Sequence, residues 1–120
     1  MLITISLLLP LLALQAAERP VQPQSFASFW ADFKSAVARN DKEAVVAATD
    51  LPSFYPNNPL AKAAFLKDYA SNFTKEVKKC FATAKPVRDR DRYVVFCGEE
   101  IFGFGKRNGA YKFTSIDMND

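Results

Sequence analysis

The chain has 120 residues, of which 49% are hydrophobic and 24% are charged, and its formal net charge is +3. These values are typical of a globular protein with room for one domain, and they exclude a disordered or fibrous chain. Histidine is absent, which excludes histidine-based catalytic triads, histidine metal sites and histidine pH switches.

The first apolar segment, residues 1–14, contains no charged side chain. It is shorter than the about 20 residues that a membrane-spanning helix needs, and the small residues Ala16 and Ala17 follow it. This pattern is typical of a secretory signal peptide cleaved after Ala16 or Ala17. The alternative is a buried N-terminal helix, which Pro10 disfavours. The segment therefore predicts export to the bacterial periplasm or secretion, and no later segment is apolar enough to span a membrane.

Two cysteines, Cys80 and Cys97, are present. An even number of cysteines in an exported chain indicates a disulfide, and without histidine two thiolates cannot complete a zinc site. A disulfide across a loop of this length stabilises a protein by about 3 kcal/mol. The predicted organisation is a signal peptide at residues 1–17, a linker at 18–24 and a disulfide-pinned domain at 25–120.

A first helix is predicted after the N-cap residue Ser25, with its end near Asn40. Bulky side chains recur there at three- and four-residue spacing and form one aromatic stripe. The stripe consists of Phe26, Phe29, Trp30, Phe33 and Val37. Asp41 suits the positive N-terminus of a short second helix over residues 42–49.

The segment 51–58 is predicted to be irregular, because closely spaced prolines forbid a continuous helix. Its Phe54 and Tyr55 are expected to pack over the core, and the alternative is an exposed contact for a partner. Asn58 followed by Pro59 predicts the start of a third helix. The expected buried side of that helix contains Leu60, Ala64, Phe65 or Leu66, Tyr69 and Phe73.

Residues 74–85 allow two interpretations. Thr74 can cap a short helix from Lys75 to Ala82, or the sheet can begin at Cys80. The helix is favoured, although the backbone conformation at Cys80 stays open.

The end of the chain is typical of strands, beginning with residues 92–97, which are β-branched and aromatic. Asn108-Gly109 between two alternating runs predicts a hairpin. With these two residues as the loop, Phe104 faces Phe113, Phe102 faces Ser115 and Tyr111 faces Lys106. One face of the hairpin then covers the aromatic stripe, and Gly103 and Gly105 on the other face leave room for close approach or bending.

Helices followed by strands predict an α+β fold, with N-terminal helices packed on one face of a curved antiparallel sheet. This order, with residues 97–105 and 108–113, is similar to small exported bacterial proteins of the NTF2-like (cystatin-like) superfamily. The resemblance implies a cone-shaped pocket between helices and sheet, and it implies no particular reaction. The candidate lining residues of the pocket are Phe29, Trp30, Phe33, Tyr69, Phe102, Phe104, Tyr111 and Phe113.

A basic segment between residues 75 and 92 carries seven cationic and three anionic side chains. Its local charge indicates an edge that attracts an anionic partner, such as an acidic protein, a polyanion or a membrane surface. The alternating signs over residues 88–92 also fit a solvated helix end and hairpin tip. The cationic residues are Lys75, Lys78, Lys79, Lys85, Arg88, Arg90 and Arg92.

No complete catalytic constellation is visible, since a nucleophile needs a base beside it and histidine is absent. Members of the resembling fold often place an aspartate and a tyrosine in the pocket, which makes Asp32, Asp68, Tyr69 and Asp117 the candidates here. Each of these aspartates also fits a solvated position.

The favoured interpretation is a non-catalytic, exported binding protein of the bacterial envelope, for example an inhibitor or immunity protein. Its partner is expected to be a protein or a small apolar ligand, and no cofactor, metal or nucleic acid is expected. The alternatives are a small pocket enzyme of the isomerase or dehydratase type that uses Asp and Tyr, and a structural homodimer.

Overall fold

The computed structural model describes residues 23–119, which form five helices followed by a four-stranded antiparallel sheet. The helices are α1 (Phe26–Ala38), α2 (Lys42–Ala47), α3 (Leu51–Phe54), α4 (Ala61–Asn72) and α5 (Lys75–Thr83). The strands, paired in the order β1-β2-β3-β4, are β1 (Val87–Asp89), β2 (Arg92–Cys97), β3 (Glu100–Arg107) and β4 (Ala110–Met118). The predicted α+β class is confirmed.

Part of the predicted organisation lies outside the described residues, namely the signal peptide at 1–17 and residues 18–22 of the linker. Within residues 23–119, none of the helices has both the length and the apolar character that crossing a bilayer requires.

Three helices begin at the N-cap residues that the sequence predicts. The side chain of Ser25 accepts a hydrogen bond from the Ser28 amide, that of Asp41 from the Ala44 amide and that of Thr74 from the Val77 amide. Each bond satisfies an amide that has no partner within its helix, which is worth about 1 kcal/mol. The Thr74 cap starts α5, so Cys80 lies on a helix.

The segment 51–58 differs from its prediction, because Leu51–Phe54 forms one helical turn. Pro52 is compatible with this turn, since an amide in the first turn of a helix has no intrahelical partner to lose. Phe54 packs on Phe113 with 4.8 Å between ring centroids, and Tyr55 is half-buried. This segment therefore covers one end of the core.

The start of α4 also differs from its prediction, which placed the cap at Asn58 and the first helical residue at Pro59. The helix begins at Ala61, and the Asn58 side chain instead accepts a hydrogen bond from the Leu60 amide at 2.8 Å. This local Asx-type contact competes with helix capping. As a result Leu60, predicted to be buried, is 69% exposed.

The core lies between α1 and the inner face of the sheet, which is the face turned toward the helices. The ring centroid of Phe33 lies 5.3 Å from that of Phe104 and 5.3 Å from that of Phe113. Phe65 and Phe81 bring α4 and α5 onto the same cluster. Burying one such side chain contributes about 1.5–3 kcal/mol, and the predicted packing of the aromatic stripe on the sheet is confirmed.

The β3–β4 hairpin turns at Asn108 and Gly109, whose φ angles of 54° and 83° suit a two-residue type I′ turn. The predicted pairs Phe104–Phe113 and Lys106–Tyr111 are confirmed.

The predicted pair of Phe102 with Ser115 is wrong, because the register shifts between Gly103 and Phe104. Thr114 is the extra residue of this bulge, so Phe102 pairs with Ile116 and Gly103 pairs with Ser115. The bulge therefore moves Ser115 from the inner face to the outer face of the sheet.

A disulfide joins Cys80 of α5 to Cys97 of β2, as the sequence predicts. The short edge strand β1 was not predicted; it pairs Val87 with Val94 and Asp89 with Arg92. This pairing makes β1 and β2 a second hairpin, which lies beside the β3–β4 hairpin in the sheet.

Candidate anion-binding cleft

Both hairpin turns lie at the same end of the sheet, since β1 and β2 form one antiparallel hairpin and β3 and β4 form the next. A cleft of about 650 Å³ opens between them. We call it the basic cleft, because four cationic side chains and one carboxylate line it. Its lining residues are Arg88, Asp91, Arg92, Gly105, Lys106, Arg107, Tyr111, Thr114 and Ser115.

Two glycines of β3 make room for guanidinium groups on the outer face of the sheet. A Cβ on Gly105 would lie 3.3 Å from Nη1 of Arg107, and one on Gly103 would lie 3.1 Å from Nη1 of Arg92 and would collide with Oγ of Ser115. Since a strand rises by about 3.3 Å per residue, the two glycines are roughly 7 Å apart. The expectation that they leave room for close approach is confirmed.

Two carboxylates hold Arg92 in place. Its Nη2 lies 3.4 Å from Oδ2 of Asp89, and its Nη1 lies 3.8 Å from Oδ2 of Asp117. The three side chains are between 37% and 55% exposed, so each ion pair adds little stability, within the 0–1 kcal/mol range of surface pairs. Their effect is to orient a guanidinium group that still faces solvent.

Arg107 is tied to the helical layer. Its Nε donates a hydrogen bond of 2.8 Å to Oδ2 of Asp50, and its Nη1 donates one of 3.0 Å to the Lys106 carbonyl. Asp50 is itself fixed, because its amide donates to the Phe113 carbonyl at 2.9 Å. A guanidinium group has five N–H donors, so these contacts position Arg107 without using all of them.

Aromatic rings position the two remaining cations. The Arg88 guanidinium carbon lies 5.3 Å from the ring centroid of Tyr93, and Nζ of Lys106 lies 5.2 Å from that of Tyr111. Cation–π contacts at exposed sites contribute about 0.5–1 kcal/mol, which is a roughly two- to fivefold preference for these side-chain positions.

The basic cleft can therefore bind an anionic group through charge-assisted hydrogen bonds from positioned donors. Asp91 lines the cleft, and Asp50, Asp89 and Asp117 pair with its arginines, so four carboxylates balance the four cations. Short-range hydrogen bonding should thus contribute more to binding than long-range attraction does.

The predicted basic segment is divided between two faces of the sheet. Lys75, Lys78 and Lys79 lie on α5, which packs on the inner face through Phe81, and Lys85 lies between α5 and β1. The other three lie in the β1–β2 hairpin: Arg88 and Arg92 line the basic cleft, and Arg90 occupies the turn with φ of 61°.

The basic cleft also contains Lys106 and Arg107, which were not among the predicted binding residues. Their position just before Asn108-Gly109 could have indicated them, since it places two cations at the tip of the predicted hairpin. A hairpin tip at residues 88–92 was predicted only as an alternative, and the missing information was the strand β1, whose pairing with β2 brings Arg88 and Arg92 to the same end.

The residues predicted to line a helix–sheet pocket pack against one another. Phe102, Phe104 and Phe113 are 0% exposed, and the rings of Phe29, Trp30 and Phe33 lie within 6 Å of Phe104. Aromatic side chains thus fill the centre of the space where the resemblance implies a cone-shaped pocket.

Two clefts reach these rings from the margins of the core. One of about 340 Å³ borders Phe29 and Phe33, and one of about 450 Å³ borders Trp30. Of the other predicted lining residues, Tyr111 borders the basic cleft and Tyr69 is buried.

The candidate catalytic residues are dispersed. Asp32 is exposed and accepts a hydrogen bond of 3.0 Å from Gln24, whereas Asp117 pairs with Arg92 at the basic cleft. Tyr69 is 2% exposed, and its hydroxyl has no hydrogen-bond partner among the described residues. Burial raises the pKa of Tyr69, and the nearby charge of Asp41 adds to this effect.

Asp68 does have a tyrosine partner, Tyr55, which donates a hydrogen bond to its Oδ2. Burial, followed by this bond and the charge of Asp68, raises the pKa of Tyr55 to about 12. Tyr55 therefore keeps its proton at neutral pH, and the pair ties the α3–α4 loop to α4. Nothing in the sequence pattern indicates this pair, which is formed across a proline-rich loop.

Among residues 23–119, no three Cys, Asp or Glu side chains are grouped so that they could hold a metal ion.

Comparisons of the chain with protein-family models, with curated proteins and with solved structures found no match. The similarity to the NTF2-like superfamily therefore stays a prediction.

Proposed function

We propose that this chain is an exported, disulfide-pinned binding protein of the bacterial envelope that takes an anionic partner in the basic cleft without catalysing a reaction. The observation that carries the proposal is the pair Arg92 and Arg107, whose guanidinium groups lie on glycine positions of β3 and are held by carboxylates. Arg88 and Lys106 add two further cations at the same cleft.

The proposed envelope location is supported by the signal-like segment 1–17 and by the Cys80–Cys97 disulfide. Structural disulfides persist mainly in oxidising compartments such as the bacterial periplasm.

The proposed binding role is supported by how the cations are positioned. Ordering a flexible side chain on binding costs about 0.5–1.5 kcal/mol, and side chains that neighbours already hold avoid part of this cost. A rigid surface of this kind suits an inhibitor or immunity protein, which must match another protein's site and needs no chemistry of its own.

The test is the binding of a fluorescein-labelled polyglutamate peptide to the purified, oxidised protein at low ionic strength, followed by fluorescence anisotropy. The cleft variant combines Arg92→Gln with Lys106→Gln. The control combines Lys75→Gln with Lys79→Gln, which removes the same charge from the α5 part of the basic segment.

The cleft variant should bind at least about tenfold more weakly, and the control should stay within about twofold of the parent protein. Binding should also weaken as salt is raised. Equal losses in the two variants, or no binding to the parent protein, would reject the basic cleft as the site.

A further inference from the structure

The outer face of the sheet carries exposed apolar side chains next to the basic cleft. Phe96 and Val87 are each 50% exposed. Val95 and Cys97 of β2 are buried in the core, so the alternation of a strand places Phe96 and Val94 on the outer face. Phe96 pairs with Ile101, and Val94 pairs with Val87. We call these four residues the apolar patch: Val87, Val94, Phe96 and Ile101, of which Val87 and Phe96 are exposed, Ile101 is half-buried and Val94 is 3% exposed.

Arg92 joins the apolar patch to the basic cleft. It precedes Val94 by two residues on β2, and both side chains therefore lie on the outer face. Its Nη1 extends over Gly103, which is the residue paired with Val94 on β3. The guanidinium group thus borders the cleft on one side and the patch on the other. The two adjoin as one continuous surface, with a cationic half at the hairpin tips and an apolar half on the outer face.

We propose that this continuous surface docks a partner protein that presents carboxylate side chains to the basic cleft and a large apolar side chain to Phe96. The inference rests on the proposed function and adds the chemical nature of the partner. Charge complementarity to Arg88, Arg92, Lys106 and Arg107 selects the carboxylates.

The apolar half of the surface selects a protein over a simple polyanion. Exposed aromatic side chains grouped with other apolar residues mark interaction surfaces, and aromatic residues and arginine are enriched at the centres of protein interfaces. An acidic polysaccharide or polyphosphate would contact the cationic half only and would leave Phe96 in water.

The test is a selection of phage-displayed random peptides on the purified, oxidised protein. Peptides of about 12 residues are long enough, when extended, to cross both halves of the surface. The selected peptides should contain Asp or Glu together with a large apolar residue. Replacing that apolar residue with serine should weaken the affinity, measured by calorimetry, by at least about tenfold.

Two variants assign this effect to the apolar patch. Phe96→Ser should bind the original and the serine-substituted peptide with equal, weak affinity. Leu60→Ser is the matched control, because Leu60 is also an exposed apolar residue but lies at the start of α4, and it should keep the tenfold difference. Circular dichroism checks that both variants fold.

The outcomes separate this inference from the proposed function. If the selected peptides are acidic and Phe96→Ser does not change their affinity, the inference is overturned and anion binding stands. If they are not acidic, or are indifferent to Arg92→Gln combined with Lys106→Gln, the proposed function fails. A selection without binders, or light scattering that shows a dimer broken by Phe96→Ser, overturns the inference, and the polyglutamate assay then decides the proposed function.

Discussion

At the scale of single residues, two tyrosines differ in how their hydroxyl groups are satisfied. The Tyr55 hydroxyl donates a hydrogen bond to Oδ2 of Asp68, and its oxygen also lies 3.3 Å from the carbonyl oxygen of Ala64. The Tyr69 hydroxyl is buried without a partner among the described residues, although Nζ of Lys42 lies 5.3 Å from its ring centroid. A buried polar group that lacks a hydrogen bond costs about 1–3 kcal/mol, so the two hydroxyls should affect stability in opposite directions.

Tyr69→Phe and Tyr55→Phe form a matched pair that tests this difference by urea unfolding at neutral pH. Tyr69→Phe removes an unsatisfied hydroxyl and should leave the free energy of unfolding unchanged or raise it by about 1 kcal/mol. Tyr55→Phe removes the donor to Asp68 and should lower it by about 1 kcal/mol. Equal losses in the two variants would show that the Tyr69 hydroxyl has a partner in solution, such as a buried water molecule.

At the scale of helices and strands, the sequence predicts best what local chemistry determines. Ser25, Asp41 and Thr74 cap their helices because each hydrogen bond spans three residues. Asn108-Gly109 likewise determines its own turn, since both residues tolerate a positive φ. The sequence pattern predicts these caps and this turn correctly, because they depend on neighbouring residues and not on distant parts of the chain.

The features that the sequence did not predict depend on distant partners. The bulge at Thr114 changes the outer face of the sheet without changing the hydrophobic pattern of β4. The strand β1 has three exposed residues and no alternation to reveal it. The basic cleft needs both, because β1 completes the β1–β2 hairpin and the bulge places Ser115 on the outer face, where it lines the cleft. Two of the four cations of the cleft, Arg88 and Arg92, were therefore predicted as members of a charge cluster, and the shape of the cleft was not.

The disulfide is the covalent link between α5 and the sheet, and its removal tests how much the helix depends on it. The double variant Cys80→Ser with Cys97→Ser should lose about 3 kcal/mol of unfolding free energy, since the unfolded chain is no longer constrained. Because Phe81 still packs on Trp30 and Phe102, the variant should stay folded. Urea unfolding of the parent protein and the double variant, each with and without reductant, measures this loss of free energy. Reductant should not change the stability of the double variant, which serves as the control. A loss below about 1 kcal/mol would contradict the constraint argument.

At the scale of the whole molecule, cationic side chains form two separate groups, one on α5 and one at the basic cleft. The chain has a net charge of only +3, yet cations gather both on α5 and at the basic cleft. The lysines of α5 lie on the helical side, whereas two arginines of the cleft, Arg92 and Arg107, are paired with carboxylates. A loss of binding in a variant with lower total charge does not show which of the two groups binds the partner. The cleft variant and the α5 control therefore remove the same charge from the two groups.

The response of overall stability to alkaline pH reports on the closure of the α3–α4 loop by Tyr55. The pKa of Tyr55 is raised from its ordinary value of 10.0 to about 12, first by burial and then by the hydrogen bond to Asp68. The unfolded chain therefore ionises this group at lower pH than the folded protein does. Its contribution to stability is fully present below pH 10 and is lost as pH rises through 12. The stability advantage of the parent protein over Tyr55→Phe, measured by urea unfolding, should be constant from about pH 6 to 9 and then shrink. Parallel curves for the two proteins up to about pH 12 would show that Tyr55 ionises equally in the folded and unfolded states, and that the loop is open in solution.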